Sequence, residues 1–312
     1  MVYQNFALPP APVSPLSILS IIKLAAKSYS ATFKLSMSLF WLPCLVLSVG
    51  NLPFSLLEPP STFSVQELIG TAAVVAFAGL CGLYFLFHTV KRSLALQRMV
   101  LLSEDSCIPS LAFSNRLGKK AVIARIATGA FQLITALVCI FGGVAAWCNN
   151  EKMHLPVRFF LAPELSLPLV GIVVVLTAVS YFCWFFSEFL YMCFSVVLAT
   201  ESNDWASLWR RSCNLSRSAF WRGTTFAFGI EFAVWATALL LSPITAFELT
   251  ATLRGGLEGF ASSNAPIWLS VTDNVIEFAV LLLSAPFWAI LSAYFANDVR
   301  VRLNARVSDL RK

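Results

Sequence analysis

Apolar segments long enough to cross a lipid bilayer follow one another along nearly the whole of this chain of 312 residues. A transmembrane helix needs about 20 mainly apolar residues to cross a hydrocarbon layer about 30 Å thick. Because these segments leave no room for a separate soluble domain, we predict an all-α membrane protein with a single domain. Six transmembrane helices are predicted, over residues 35–57, 68–90, 125–148, 169–199, 220–247 and 271–295.

The composition agrees with a membrane protein and indicates the kind of partner. Hydrophobic residues make up 58% and charged residues 12% of the chain, whereas a globular domain is about half apolar and a quarter charged. The net charge of +6 would suit a nucleic acid, but the basic residues lie beside apolar segments and form no polar domain of their own. We therefore predict membrane lipids, preferentially anionic ones, as partners, and no nucleic acid.

The most one-sided stretch of the sequence is residues 207–222, SLWRRSCNLSRSAFWR. At 100° per residue Arg210, Arg211, Asn214 and Arg217 lie on one side. The opposite side is formed by Trp205, Leu208, Trp209, Ser212, Leu215, Ala219 and Phe220. Such a helix is typical of the headgroup region, where indoles suit the interface and guanidinium groups meet lipid phosphates. We predict a helix that lies along the membrane surface and leads into the fifth span.

Two further segments place a basic helix before a pair of spans. The first starts near Pro15, and its cations Lys23, Lys27 and Lys34 lie opposite an apolar side. That apolar side is formed by Ile18, Ile22, Ala25, Tyr29 and Phe33. The second starts near Ser110, 95 residues further on, and the helix described above follows 97 residues later. The spacing favours three repeats of a surface helix and a transmembrane hairpin, over residues 15–106, 107–203 and 204–302.

The distribution of Lys and Arg gives the orientation of the six spans. All but three of the 22 Lys and Arg residues lie on the same side as the two chain ends, the exceptions being Lys152, Arg158 and Arg254. Because cytoplasmic loops are enriched in Lys and Arg, both termini are predicted to be cytoplasmic. Outside the transmembrane domain, which covers residues 15–302, we predict a disordered proline-rich tail at 1–14 and a basic cytoplasmic tail at 303–312.

Two motifs in the last hundred residues resemble a known family. The sequence RRSCNLSRSAFWR (210–222) precedes the fifth span, and PFWAILSAYFANDVRVR (286–302) covers the end of the sixth. Together they resemble the bacterial membrane-domain family related to the membrane part of glycerophosphoryl diester phosphodiesterases. The matching residues are Arg211, Ser212, Leu215, Pro286, Tyr294, Asp298, Arg300 and Arg302, whereas a second aromatic common in the family is missing at Ala296 and Asn297. The resemblance implies a six-span fold of the bacterial inner membrane and no enzymatic activity, since no phosphodiesterase domain is attached.

No catalytic motif is found in the sequence. The patterns HExxH, GxSxG and GxGD are absent, and two histidines are too few for most metal sites. The eight cysteines show no CxxC spacing. We therefore predict that the protein is not an enzyme and binds no metal and no cofactor.

Three carboxylates fall within apolar segments, at Glu188, Glu231 and Glu277. A charged side chain in the middle of a membrane costs several kcal/mol, so each is expected to face a partner, a cavity or an interface. We expect Glu277, close to Asp273, near the outer surface and Glu188 near the inner one. Glu231, about ten residues into its span, is the hardest to place at an interface.

These observations favour a lipid-contacting scaffold, or a module that binds a protein partner or a second copy, over an enzyme. The residues predicted to contact anionic headgroups are Lys23, Lys27, Lys34, Arg210, Arg211 and Arg217. The alternative is a small secondary transporter or lipid-handling permease with a central cavity near Glu231. A structural hypothesis pairs Asp298, Arg300 and Arg302, at the exit of the sixth span, with Arg210, Arg211 or Arg217.

Overall fold

The computed structural model describes residues 8–56, 65–104, 106–148, 167–201, 204–247, 250 and 266–309. Within these residues the chain is helical and contains no strand, as predicted for an all-α protein. The principal helices are α1 (Ile18–Leu56), α2 (Val65–Leu102), α3 (Cys107–Cys148), α4 (Leu167–Thr200), α5 (Trp205–Ser218), α6 (Phe220–Leu241) and α7 (Ile267–Asp309).

Five of the helices are long and apolar enough to cross a membrane, which supports a multi-pass membrane protein. Their apolar segments are Ile18–Pro53, Ile69–Leu102, Ala178–Thr200, Phe220–Leu241 and Ile267–Ala305. The predicted span over 125–148 lies in α3, and about half of its side chains lie outside the described residues. At 1.5 Å per residue, α1, α2, α3 and α7 are each about 57 to 65 Å long, so they extend well past the hydrocarbon layer.

The helices pack most closely at one end of the bundle. α1 lies against α2 and α7, and α4 contacts α2, α3, α5, α6 and α7. The buried side chains there come mainly from residues 90–101 of α2, 189–199 of α4 and 289–299 of α7. Aromatic packing is dense, since the rings of Phe226 and Phe295 stack with their centroids 3.7 Å apart.

Away from this core, large apolar side chains lie on the surface. Examples are Leu80 of α2, Leu133 of α3 and Leu240 of α6, which are 67%, 60% and 86% exposed. Soluble monomeric proteins rarely expose contiguous apolar surface of this extent. The surface is therefore one that lipid or another apolar partner covers.

Two of the three predicted surface helices are not separate helices. Residues 15–34 lead directly into the first apolar segment as part of α1, and the second basic segment runs into its span as α3. No proline or glycine interrupts residues 18–42, so the backbone hydrogen bonds of α1 continue through the basic segment. In the third unit alone the basic helix is separate, because the chain breaks at Ala219, with φ −129° and ψ 30°.

The buried face of α1 also differs from the predicted apolar side. Ile22 and Phe33 of that side are 38% and 42% exposed. Ala25 of that side is buried, and it belongs to a stripe of mostly small buried side chains formed by Ile21, Ala25, Ser28, Thr32 and Ser36. In a bilayer, small residues allow close helix contact while larger apolar ones face lipid, which explains the exchange.

The two predicted tails are partly built into the fold. In the first, the carbonyl of Pro12 accepts a hydrogen bond from Asn297 Nδ2 at 3.2 Å, and Leu8 packs on the core. The second continues α7 as a helix as far as Asp309. Residues 1–7 and 310–312 of the tails lie outside the described residues, as do Lys152, Arg158 and Arg254.

Gly223 marks the closest approach of α6 to α4, and it gives a testable prediction. A Cβ atom at this position would overlap the ring of Phe189, which is fully buried. We expect Gly223→Ala to lower the free energy of unfolding by about 1 to 3 kcal/mol through overpacking. The measurement is reversible unfolding in mixed micelles, followed by the loss of helical signal.

The matched control is Gly229→Ala in the same helix, where nothing lies within 4 Å of an added Cβ. This change should be neutral or stabilise by up to about 1 kcal/mol, because alanine favours a helix more than glycine does. Equal effects of the two substitutions would contradict the α4–α6 packing.

Candidate functional site

α5 is one-sided in the way its periodicity predicts. Its buried residues are Leu208, Ser212, Leu215 and Ser216. Arg210, Arg211 and Arg217 are exposed on the opposite side. At its start Asp204 accepts the backbone N–H of Ser207 at 3.1 Å. Two hydrogen bonds from Ser207 hold the pKa of Asp204 below its ordinary value, and the one from the hydroxyl contributes more than the one from the backbone N–H. The cap fixes where α5 begins and so which residues face outward.

The predicted headgroup-contacting cations are accessible. Lys23, Lys27 and Lys34 of α1 are exposed, as are the three arginines of α5. Of these six cations, Arg211 alone forms an ion pair with another described residue, Glu201. We refer to these six exposed cations, which lie on two helices, together as the basic face.

Asp298 of α7 is fully buried and surrounded by donors. Its Oδ2 atom lies 2.8 Å from Arg222 Nη2 and 2.9 Å from Arg302 Nε. Its Oδ1 atom accepts the backbone N–H of Leu16 at 2.7 Å. The two guanidinium groups also donate to the carbonyl of Leu16, at 3.3 Å from Arg222 and 2.6 Å from Arg302. We call these four residues the Asp298 cluster.

The Asp298 cluster corrects the hypothesis drawn from the sequence. The carboxylate does pair with Arg302, but its second partner is Arg222 of α6. Arg210, Arg211 and Arg217, the predicted partners, lie on the outward side of α5 and do not contact it. The cluster therefore joins α6 and α7 to the segment that leads into α1. No sequence pattern indicates that the backbone of Leu16 takes part.

Arg300, predicted to act with Asp298, belongs to a different set of contacts. Its Nη1 atom donates to Thr200 Oγ1 at 3.0 Å, at the C-terminus of α4. Arg98 of α2 donates to the carbonyl of Ala199 at 2.9 Å. Cations and donors at the last carbonyls of a helix stabilise it, so α2 and α7 together hold the end of α4. Arg98 was not among the residues singled out from the sequence.

A second group of polar side chains lies within the apolar segments, on α3, α4 and α6. Glu188 is 4% exposed, and its Oε1 atom lies 2.5 Å from Arg125 Nη1 and 2.8 Å from Gln132 Nε2. Glu231 accepts a hydrogen bond from the indole of Trp184 at 3.0 Å. Glu231 is also close enough to Glu188 and Arg125 to interact with both electrostatically. We call these five residues the polar cluster.

The polar cluster agrees with part of what the sequence predicts for the carboxylates. Glu188 has the charged partner that a buried carboxylate requires. Glu188 lies 12 residues before Thr200, the last residue of α4, and so about 18 Å from that end of the helix. Glu231 is half-exposed, and its partner Trp184 is 39% exposed, so this contact lies at the protein surface. Glu277 is exposed on α7 and takes no part in the cluster.

Two cavities open at the end of the bundle where α5 lies. One, of about 470 Å³, lies at the junction of α5 and α6, and its lining includes Arg217, Arg222 and Arg302. The other, of about 650 Å³, lies beneath the N-terminal segment, and its lining includes Pro12 and Arg300. The arginines of α5, the Asp298 cluster and both cavities thus lie at the same end of the molecule.

Comparison of the chain with protein-family models, curated proteins and solved structures finds no match. The resemblance of residues 210–222 and 286–302 to the phosphodiesterase-related family therefore stays a prediction. Several of the residues on which it rests have structural contacts here. Ser212 is buried in α5, and the Tyr294 hydroxyl lies 2.8 Å from that of Ser28.

Proposed function

We propose that the protein is a non-catalytic, lipid-binding scaffold of the bacterial inner membrane. The observation that supports this most is the basic face, which leaves Lys23, Lys27, Lys34, Arg210 and Arg217 exposed without an ion-pair partner among the described residues. Each cation near an anionic membrane surface contributes about 1 kcal/mol of attraction. The basic face therefore selects anionic headgroups by charge, and a protein partner or a second copy would bind in addition.

The proposal includes six spans, with both chain ends and the basic face on the cytoplasmic side. Asp298 and Glu277 are 21 residues apart on α7, which corresponds to about 31 Å along the helix. That separation matches the hydrocarbon thickness of about 30 Å and supports a position near opposite surfaces. The third repeat keeps a separate surface helix, whereas the first two have their basic segments fused to their spans.

The proposal is tested by the lipids that leave the membrane with the protein. Membranes of mixed neutral and anionic phospholipid are extracted with an amphipathic copolymer, and the lipid in the purified discs is quantified. The wild-type discs should be enriched several-fold in anionic lipid over the bulk membrane. A variant with all six cations of the basic face changed to Gln should lose most of this enrichment.

The matched control changes Lys152, Arg158 and Arg254, on the predicted opposite side, to Gln. These changes should leave the enrichment unaltered, because those cations lie on the other leaflet of the proposed topology. Unchanged enrichment in the six-cation variant would remove the proposal.

The polar cluster favours a second candidate, a small transporter that moves a proton or a cation. Glu188 has Arg125 as its ion-pair partner, whereas Glu231 forms no ion pair with another described residue and accepts its hydrogen bond from the neutral Trp184. In proteoliposomes with a pH gradient, a transporter would speed the collapse of the gradient, and Glu231→Gln would abolish that flux. Equal decay in wild-type, variant and empty vesicles would remove proton movement from consideration and leave the scaffold as the better supported function.

A further inference from the structure

The cavity at the α5–α6 junction has a strongly basic wall. Arg217, Arg222 and Arg302 line it, and no acidic residue does. Among the described residues, the carboxylate that pairs with this wall is that of Asp298, which Arg222 and Arg302 share. Three guanidinium groups against one carboxylate leave a surplus of two positive charges at the cavity.

The guanidinium groups also have donors to offer a ligand. The bonds to Asp298 and Leu16 use only Nη2 of Arg222, and only Nε and Nη2 of Arg302. Arg217 is exposed and forms no ion pair with another described residue. Because the Asp298 cluster fixes two of the three side chains, these two are already positioned before a ligand binds. Arginine forks of this kind suit the oxygens of a phosphate.

Apart from Ser218, the rest of the cavity wall is mainly apolar and includes Phe220, Trp221, Val299 and Leu303. Trp221 is 69% exposed, with its ring edge-on to Phe182 at a centroid distance of 5.7 Å. An exposed indole next to clustered arginines is typical of the depth at which lipid headgroups meet acyl chains. The cavity therefore combines a phosphate-binding wall with a surface for the glycerol and upper acyl region.

We propose that this cavity binds the phosphate of an anionic lipid with a doubly charged headgroup, that is, a phosphomonoester. The proposal rests on the lipid-binding function above and adds a saturable, selective site to its general attraction. A phosphomonoester has about −1.5 to −2 charges near neutral pH, which balances the surplus at the cavity. A phosphodiester headgroup such as phosphatidylglycerol has a single charge and leaves the cavity partly uncompensated.

The test uses the full-length protein in nanodiscs of phosphatidylcholine, titrated with a short-chain fluorescent phosphatidic acid or with phosphatidylglycerol. The variant is Arg217→Gln, chosen because Arg217 has no part in the Asp298 cluster. The matched control is Arg116→Gln, an exposed arginine of α3 that belongs neither to the cavity lining nor to the basic face. Wild type should bind phosphatidic acid saturably and more tightly than phosphatidylglycerol. Arg217→Gln should weaken phosphatidic acid about tenfold, the loss of one charge-assisted contact, and Arg116→Gln less than twofold.

Three results would overturn the site. If the two substitutions weakened phosphatidic acid binding equally, general charge attraction would explain the binding and the cavity would not be its site. If inorganic phosphate also displaced the bound lipid at concentrations similar to those at which a short-chain phosphomonoester lipid does, the arginines would form a site for free phosphate and not for a lipid. Absence of any preference for anionic lipid in the wild type would remove the site and the proposed function together.

Discussion

Replacement of Asp298 by Asn is expected to lower the free energy of unfolding by about 3 kcal/mol. The carboxylate is fully buried and holds Arg222, Arg302 and the N–H of Leu16 at 2.7 to 2.9 Å. Hydrogen bonds to charged groups each contribute about 1.5 to 3 kcal/mol, and removing one member of a buried pair costs about 3 to 5 kcal/mol. The two arginines are 26% and 39% exposed and would regain some hydration, which places the loss at the lower end.

The measurement is equilibrium unfolding in mixed micelles, with Asp204→Asn as the control for the same chemical change. Asp204 is exposed, and asparagine caps a helix about as well as aspartate does, so the control should unfold like the wild type. The N-terminal segment should become more sensitive to protease in Asp298→Asn, because the single amide oxygen of asparagine cannot accept from both the arginines and the N–H of Leu16. An unchanged unfolding midpoint would show that the cluster contributes nothing to stability.

The second large effect is expected at Glu188. Glu188→Leu leaves Arg125 without its ion-pair partner within the apolar part of the bundle, and we expect a loss of about 3 to 4 kcal/mol. Gln132 would lose one of its two acceptors in the same substitution and keep the carbonyl of Trp184 at 3.3 Å. The double variant Arg125→Met with Glu188→Leu should recover much of this loss, because an apolar pair of similar volume often replaces a buried ion pair with little cost.

A double-mutant cycle over the two positions measures the interaction directly. The coupling energy is expected to be about 2 to 3 kcal/mol, as for residues in direct contact. Additive effects would mean that the ion pair contributes little. Glu231→Leu provides a comparison. Because Glu231 is only half-buried, this substitution should lower the free energy of unfolding less than Glu188→Leu does.

The helix positions and the outward arginines of α5 follow from the sequence because they depend on local periodicity. Apolar runs long enough for a bilayer identify the spans, and the 100° pattern places Arg210 and Arg217 opposite Leu208 and Leu215. The need for a partner at Glu188 also follows, because an unpaired charge is costly in a membrane. Which residue supplies that partner depends on how α3 packs on α4, and periodicity does not contain this information.

The buried side of α1 shows why hydrophobicity alone is a poor guide to packing in a bilayer. In water the large apolar side chains would be buried, but here Ile22 and Phe33 are exposed while Ser28 and Thr32 are buried. Thr32 donates to the carbonyl of Ser28 at 2.9 Å, which satisfies its hydroxyl within the helix. No proline or glycine stands at 218 or 219, so these breaker residues do not mark the break at Ala219 in the sequence.

Most of the site contacts that we did not predict from the sequence are contacts to the backbone. Arg222 and Arg302 bind the carbonyl of Leu16, and Arg98 binds that of Ala199. A side chain that recognises a backbone group leaves no complementary residue in the sequence to suggest the pair. Arg222 counted toward the orientation of the spans, but its pairing with Asp298 depends on the direction in which α6 leaves α5.

Tag accessibility tests the proposed orientation most directly. One epitope tag is attached to each chain end and a third is inserted in residues 251–265, between α6 and α7. In intact spheroplasts we expect protease to remove only the tag between α6 and α7. The tags at the two ends should be removed only after the membrane is opened. Removal of one terminal tag but not the other from intact spheroplasts would contradict an even number of spans. Removal of both would place the basic face outside the cytoplasm.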